Sequence, residues 1–187
     1  MKKLFVALAI MALFSACKEQ ESTAMTADSP ETVAAESVPA KEGHGKIELK
    51  VGSQTLVVEG KCGGVTNTGE MIIAVQDQTV AAKVFTISFN TKDYPKAGKT
   101  YTIKKSDFMS EGKKPDTDVY IGFSEVTQKN QMDWSSDDAS GTLKFDVNGN
   151  EIQCEFNNIK LQPSAMYNKG EFNHVGTASG KITLYKN

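Results

Sequence analysis

The chain has 187 residues, enough for one domain with a tail. Its 21 basic residues are all lysine, set against 23 acidic ones for a formal net charge of −2. Without arginine's bidentate fork and without a polybasic stripe, this composition argues against nucleic acid or an anionic lipid surface as partner.

Lys2 and Lys3 precede an apolar run from Leu4 to Phe14, which Ser15-Ala16-Cys17 follows. A positive start and an apolar run of this length read as a signal peptide over residues 1–16. The run falls short of the roughly 20 residues that a membrane-spanning helix needs, and no later stretch is long enough either. A cut before Cys17 places Phe14 at −3, against the small-residue rule of ordinary secretory cleavage. A bulky apolar residue, a small pair and a cysteine instead resemble the lipobox of bacterial lipoproteins, with Phe14 where Leu or Val is usual. The resemblance implies that Cys17 becomes an acylated N-terminus and ties the chain to a bacterial membrane. Lys18-Glu19-Gln20-Glu21 resembles the export signal of Bacteroidota surface lipoproteins, which implies the outer membrane of the cell envelope. Ordinary secretion with a cut after Ala24 is the alternative.

From Lys18 to about Gly45 the chain is rich in Ser, Thr, Ala, Pro and Glu and has no aromatic residue. Such a segment buries too little apolar area to offset its ordering entropy. Residues 17–45 are therefore expected to be a disordered tether, with a typical end-to-end distance of roughly 30 Å. Loss of Lys2 and Lys3 with the leader would move the net charge from −2 to −4.

Residues 46–187 read as β structure. Ile47, Leu49 and Val51 alternate with Glu48 and Lys50, and Gly52-Ser53 fits a two-residue turn with glycine first. Closing on that turn pairs Val51 with Gln54, Leu49 with Leu56 and Ile47 with Val58. Further strands are predicted over Met71–Val75, Val84–Phe89, Thr100–Lys104 and Val119–Val126. Asn148-Gly149 predicts a second hairpin, in which Phe145 faces Ile152 and Leu143 faces Cys154. Asn158–Gln162 and Lys181–Tyr185 complete the set. Short helical turns fit at Thr91–Tyr94 or Ser106–Phe108. About eight to ten short strands with Gly/Asn/Asp-rich breaks argue for an all-β fold, an antiparallel β-sandwich or flattened barrel. The whole chain, lipobox, polar tether and β-domain with Ser-Gly strand starts, resembles small Bacteroidota surface lipoproteins in style.

With Cys17 taken by lipid, two cysteines remain. Strand parity puts Cys62 on the face of Leu56 and Val58, and Cys154 on the face of Ile152 and Phe156. Both point into the core of an exported protein, so a Cys62–Cys154 disulfide between packed sheets is expected. The alternative is two free buried thiols acting as small apolar residues.

Catalytic patterns are sparse. His44 and His174 lie 130 positions apart with no nucleophile-elbow motif, and they make a poor zinc set with the cysteines. Asp133, Asp137 and Asp138 read as an acidic loop around Trp134, without the spacing of a calcium loop. No cofactor and no metal site is expected. Trp134, the single tryptophan, lies beside a polar run and is a candidate ligand contact for a sugar or a partner surface. Core packing is its other reading, and Tyr94, Tyr120 and Tyr167 share the ambiguity. The sequence thus points to a lipid-anchored envelope protein, a non-catalytic binding or assembly module for a glycan or protein partner. A hydrolase using carboxylates such as Glu125 and Asp133 is one alternative, and a purely structural envelope component is another.

Overall fold

The computed structural model describes residues 41–67, 69–77, 82–105, 114–138 and 140–186. Cys17, the leader and the tether up to residue 40 lie outside them, as does the possible turn at 106–108. In chain order the strands are β1 (Gly43–Val51), β2 (Gln54–Asn67), β3 (Glu70–Asp77), β4 (Ala82–Phe89), β5 (Thr100–Ile103), β6 (Asp118–Val126), β7 (Gln131–Ser136), β8 (Thr142–Lys144), β9 (Asp146–Asn148), β10 (Glu151–Pro163) and β11 (Gly176–Tyr185). The first strand begins at Gly43, so His44 belongs to β1. A 3-10 turn at Gly170–Phe172 interrupts the loop before β11. Among the described residues, no helix is long and apolar enough to cross a membrane.

The strands pair into a closed antiparallel barrel, which satisfies the expected all-β class. Going round the wall, the order is β4-β3-β2-β1-β11-β10-β7-β6, and β6 pairs back onto β4. Neighbours in the wall follow chain order, apart from the excursions through β5 and through β8 and β9. Closure leaves no sheet edge in this ring for another chain to pair with.

One end of the barrel is wider than the other. The last five residues of β6 pair with β7, while its first two pair with β5 in parallel. β10 likewise pairs with β7 at Leu161–Pro163 and with β9 at Glu151–Gln153. A single strand therefore bridges β6 and β10 at one end. At the other end β5 and the β8–β9 segment share the gap. Two buried serines stitch the split. Ser136 Oγ accepts from the Ile121 N–H at 2.9 Å and donates to the Lys104 carbonyl at 2.7 Å. Ser140 Oγ donates to the Lys160 carbonyl at 2.6 Å and accepts from the Asp137 N–H at 3.0 Å. Hydroxyls here replace the rungs that a continuous strand would supply, because a buried backbone group left unpaired costs about 1–3 kcal/mol.

The first hairpin has the expected register, with Leu49 opposite Leu56 and Ile47 opposite Val58. The second does not. Asn148 pairs with Glu151 and Val147 with Ile152, so Phe145 does not face Ile152. The turn residues are Gly149-Asn150, with Gly149 at φ 59° and a negative φ at Asn150. Gly52-Ser53 has the same pattern, with Gly52 at φ 56°. Both are glycine-first turns, and the Asn-Gly pair occupies the last strand position and the first turn position. A two-residue shift preserves side-chain parity, so the inward faces survive the error.

Apolar side chains of the described residues pack against one another across the interior. Phe85 on β4 stacks on Phe156 of β10, ring centroids 5.3 Å apart. Phe89, Tyr101 and Phe145 fill the wide end, Tyr101 edge-on to both phenyl rings and these tilted to each other, with centroids 5.3–5.7 Å apart. Phe123, Trp134 and Phe172 fill the other end. Such pairs add about 0.5–1.5 kcal/mol each beyond the area they bury. Inward glycines set how tightly the walls close: a Cβ on Gly176 would meet Leu49 Cδ1 at 2.6 Å.

Candidate functional site

Trp134 is not a surface ligand contact. It alternates with Met132 and Ser136 on β7, is 1% exposed, and meets Phe123 and Phe172 edge-on. Its indole N–H donates to the His174 carbonyl at 3.1 Å. The supposed acidic loop around it is a strand, and Asp137 and Asp138 lie just beyond the strand's end. Trp134 instead pins the loop over residues 164–175 across the narrow end. Asn168, 1% exposed, completes that closure: its Oδ1 accepts from the Asp133 N–H and its amide donates to the Phe172 carbonyl. Of the tyrosines, Tyr94 packs against the core, Tyr120 accepts a hydrogen bond from Asn90 and Tyr167 is half-buried.

Cys62 and Cys154 are both buried, as parity required, and both are free thiols. The expected disulfide is not formed. The expectation placed β2 and β10 on facing sheets, but β1 and β11 separate them within one closed wall. Three strand spacings are about 14 Å along the wall, against the roughly 7 Å between Cα atoms that a bridge tolerates. Burial pushes both thiols up to about 12, with the Asp146 charge adding to the effect at Cys154. Thiols held protonated in this way are inert fillers rather than nucleophiles.

The remaining titratable groups are scattered. His44 pairs with Thr183 across β1 and β11, whereas His174 precedes the start of β11. The length of β11 between them, more than about 20 Å at 3.3 Å per residue, separates the two. Glu125 shares the inward face of Val119, Ile121 and Phe123, while Asp133 points the other way from Met132 and Trp134. The two carboxylates considered for hydrolysis thus sit on opposite faces of the wall. Among the described residues, no three His, Cys, Asp or Glu side chains cluster closely enough to hold a metal ion.

What the fold does gather is a shallow concavity of about 340 Å³ on the outer face of β10, β11 and β1. Cross-strand registry builds it. Lys46, Lys181 and Glu155 form one row, since Lys46 pairs with Lys181 and Lys181 with Glu155. Glu48 and Ser179 form the next row, with Asn157 beside them. Asn157 follows Glu155 on the outer face by alternation, and a bulge between Phe156 and Ile159 sets Asn158 beside it. The pair Asn157–Asn158 opposes the single residue Ser179, and both asparagines stay exposed while Phe156 and Ile159 both face inward. Asn158 takes φ 59°, the one left-handed non-glycine among the described residues, and its N–H donates to Ser179 Oγ at 3.0 Å. Lys46 also meets Glu59 at 2.9 Å, and that carboxylate holds the Lys46 ammonium above its ordinary range. No residue of this concavity except through its strand was singled out by the sequence. The signal present was the three-residue step from Phe156 to Ile159 in a strand that otherwise alternates.

Compared with protein-family models, with characterised proteins and with solved structures, the chain matches none.

Proposed function

We propose that this chain is a lipid-anchored cell-envelope protein, held through Cys17 at a bacterial outer membrane, and that it works there as a non-catalytic binding or assembly module. Its partner is a surface glycan or another envelope protein. One observation carries the reading: the apolar interior is filled from wall to wall by rings and branched chains. With side chains packed against one another across the interior, recognition falls to the outer surface. The separation of the histidines and the opposed directions of Glu125 and Asp133 support the same conclusion.

Two measurements test it. Mass spectrometry of protein isolated from its envelope should find a diacylglyceryl group on Cys17 at the N-terminus; a free N-terminus at Met25 would replace anchoring with simple secretion. Crosslinking and capture from envelope extract should retrieve a reproducible protein or glycan partner. Capture of nothing above a control barrel would favour the purely structural role, and turnover of generic glycosides or esters would favour the hydrolase.

A further inference from the structure

We propose that the concavity on β10, β11 and β1 is a saccharide site, with Glu48, Glu155, Asn157 and Lys181 supplying its hydrogen bonds. The inference rests on the binding-module reading and names the ligand class for it.

Three observations converge on this patch. The first is its shape, a depression of about 340 Å³, at the small end of the roughly 300–1,000 Å³ typical of ligand sites. The second is the bulge. A left-handed non-glycine residue costs on the order of 1 kcal/mol, and bulges recur where a strand must re-aim a side chain beside a site. Here alternation already places Asn157 on the outer face, and the bulge turns Asn158 outward beside it against Ser179; in an unbulged strand Asn158 would point inward and Ile159 outward. The third is that the polar groups are unspent. Asn157, Glu155 and Lys181 line the depression and make no side-chain hydrogen bond or ion pair within the described residues, whereas Lys46 beside them is engaged by Glu59 and also feels the Glu48 charge.

Charge decides the ligand class. Two ammonium groups, Lys46 and Lys181, stand beside two carboxylates, Glu48 and Glu155. An anion would be opposed by the carboxylates, and a cation by the ammonium groups. A polyol hydroxyl donates and accepts at once, so it satisfies Glu155 and Glu48 as donor and Lys181 as acceptor, and the Asn157 carboxamide serves it both ways. The Gly180 backbone forms the floor between the two rows, which lets a ring approach the sheet closely. With no aromatic plane in the lining, the site relies on hydrogen bonds and takes a short unit rather than a long stacked chain.

Saturation-transfer NMR on the full chain in detergent tests this, using glucose, galactose, mannose, N-acetylglucosamine and their disaccharides. Inorganic phosphate and putrescine are the charged comparators. At least one neutral sugar should bind saturably and more tightly than either comparator. Glu155→Ala and Asn157→Ala should each weaken it fivefold or more, and Lys61→Ala, on the outer face of β2, should not. Both variants change exposed side chains, so their unfolding midpoints should match the unmodified chain. Tighter binding of phosphate or putrescine overturns the proposal, as does sugar binding indifferent to Glu155→Ala and Asn157→Ala, or no saturable sugar signal. Capture of an envelope partner that persists in the Glu155→Ala, Asn157→Ala double variant would leave the binding module standing while this site fell.

Discussion

Replacing Ser136 with alanine removes the hydroxyl that joins three strands where the wall divides. Ser136 is 1% exposed, and its Oγ serves the Ile121 N–H on β6 and the carbonyl of Lys104, the residue after β5. The Ile121 N–H, itself in a buried residue, would lose its partner at a cost of about 1–3 kcal/mol. Lys104 is only half-buried, so water can reach its carbonyl and the second loss is smaller. Ser136→Ala should therefore lower the unfolding free energy by about 2–3 kcal/mol, or roughly 5–10 °C in Tm for a domain of this size. Trp134 is the only tryptophan and is buried two residues away, so its fluorescence reports unfolding in urea directly. The midpoint should fall with an unchanged slope, which marks a loss of stability rather than a change in compactness. Ser135→Ala, the exposed neighbour on the same strand, should stay within about 0.5 kcal/mol. If Ser136→Ala also stays within that margin, the hydroxyl does not hold the divided wall together.

The buried thiols give a pH dependence with a definite sign. Cys62 and Cys154 are pushed up to about 12 in the fold, whereas unfolded thiols ionise near 8.5. Their contribution is therefore complete below about pH 8.5 and is lost as pH rises toward 12, by up to about 1.4 kcal/mol per pH unit per thiol. Between pH 9 and 11, Cys154→Ala should lose stability less steeply than the unmodified chain by about that amount, and equal slopes would contradict the burial argument. Thiol titration of denatured, unreduced protein should count both cysteines as reactive, and a count of zero would restore the disulfide. At the bulge, Asn158→Gly should be neutral and Asn158→Ala should cost about 1 kcal/mol, as chemical denaturation would read; equal effects would mean that φ 59° carries no strain. Trp134→Ala should cost about 3–5 kcal/mol and loosen the loop over residues 164–175, seen as faster amide exchange there; unchanged exchange would detach Trp134 from that role.

Local grammar in this sequence translated well, and non-local pairing did not. Gly52-Ser53 set both the turn and the register of β1 and β2, because a glycine-first turn between alternating runs admits one in-phase closure. Asn148-Gly149 admitted two closures differing by two residues, both in phase, and apolar pattern alone does not choose between them. Parity also placed Cys62 and Cys154 inside, yet parity says which face a residue occupies and not which strand lies opposite. That choice was made by β6 closing onto β4, a pairing of residues about 40 positions apart that no window of sequence contains. Met132, Trp134 and Ser136 alternate as a strand should, but the aspartates around them read as a loop. The concavity was least legible, since Lys46, Lys181 and Glu155 become neighbours only once β11 lies between β1 and β10.

The polarity of the wall bears on how the proposed membrane anchoring would work. In a membrane-spanning barrel the outer face is apolar and the inner face polar. Here the reverse holds: Lys46, Lys50, Lys61, Lys160 and Lys181 are exposed on the outside, and Ile47, Leu49, Phe85 and Phe156 are buried within. A lysine facing lipid at the midplane costs about 2–4 kcal/mol, so burying several in a bilayer would exceed the roughly 5–15 kcal/mol that stabilises a typical domain. Under the proposed membrane anchoring, the attachment point would then lie outside the barrel, where a lipid on Cys17 would put it. Detergent phase separation separates the two arrangements. Intact protein from the envelope should enter the detergent phase. A fragment released by proteolysis upstream of Lys41, before the first strand, should enter the aqueous phase with its barrel intact. Retention of that fragment in detergent would mean that the barrel itself holds lipid, and the argument from its charged outer face would fail.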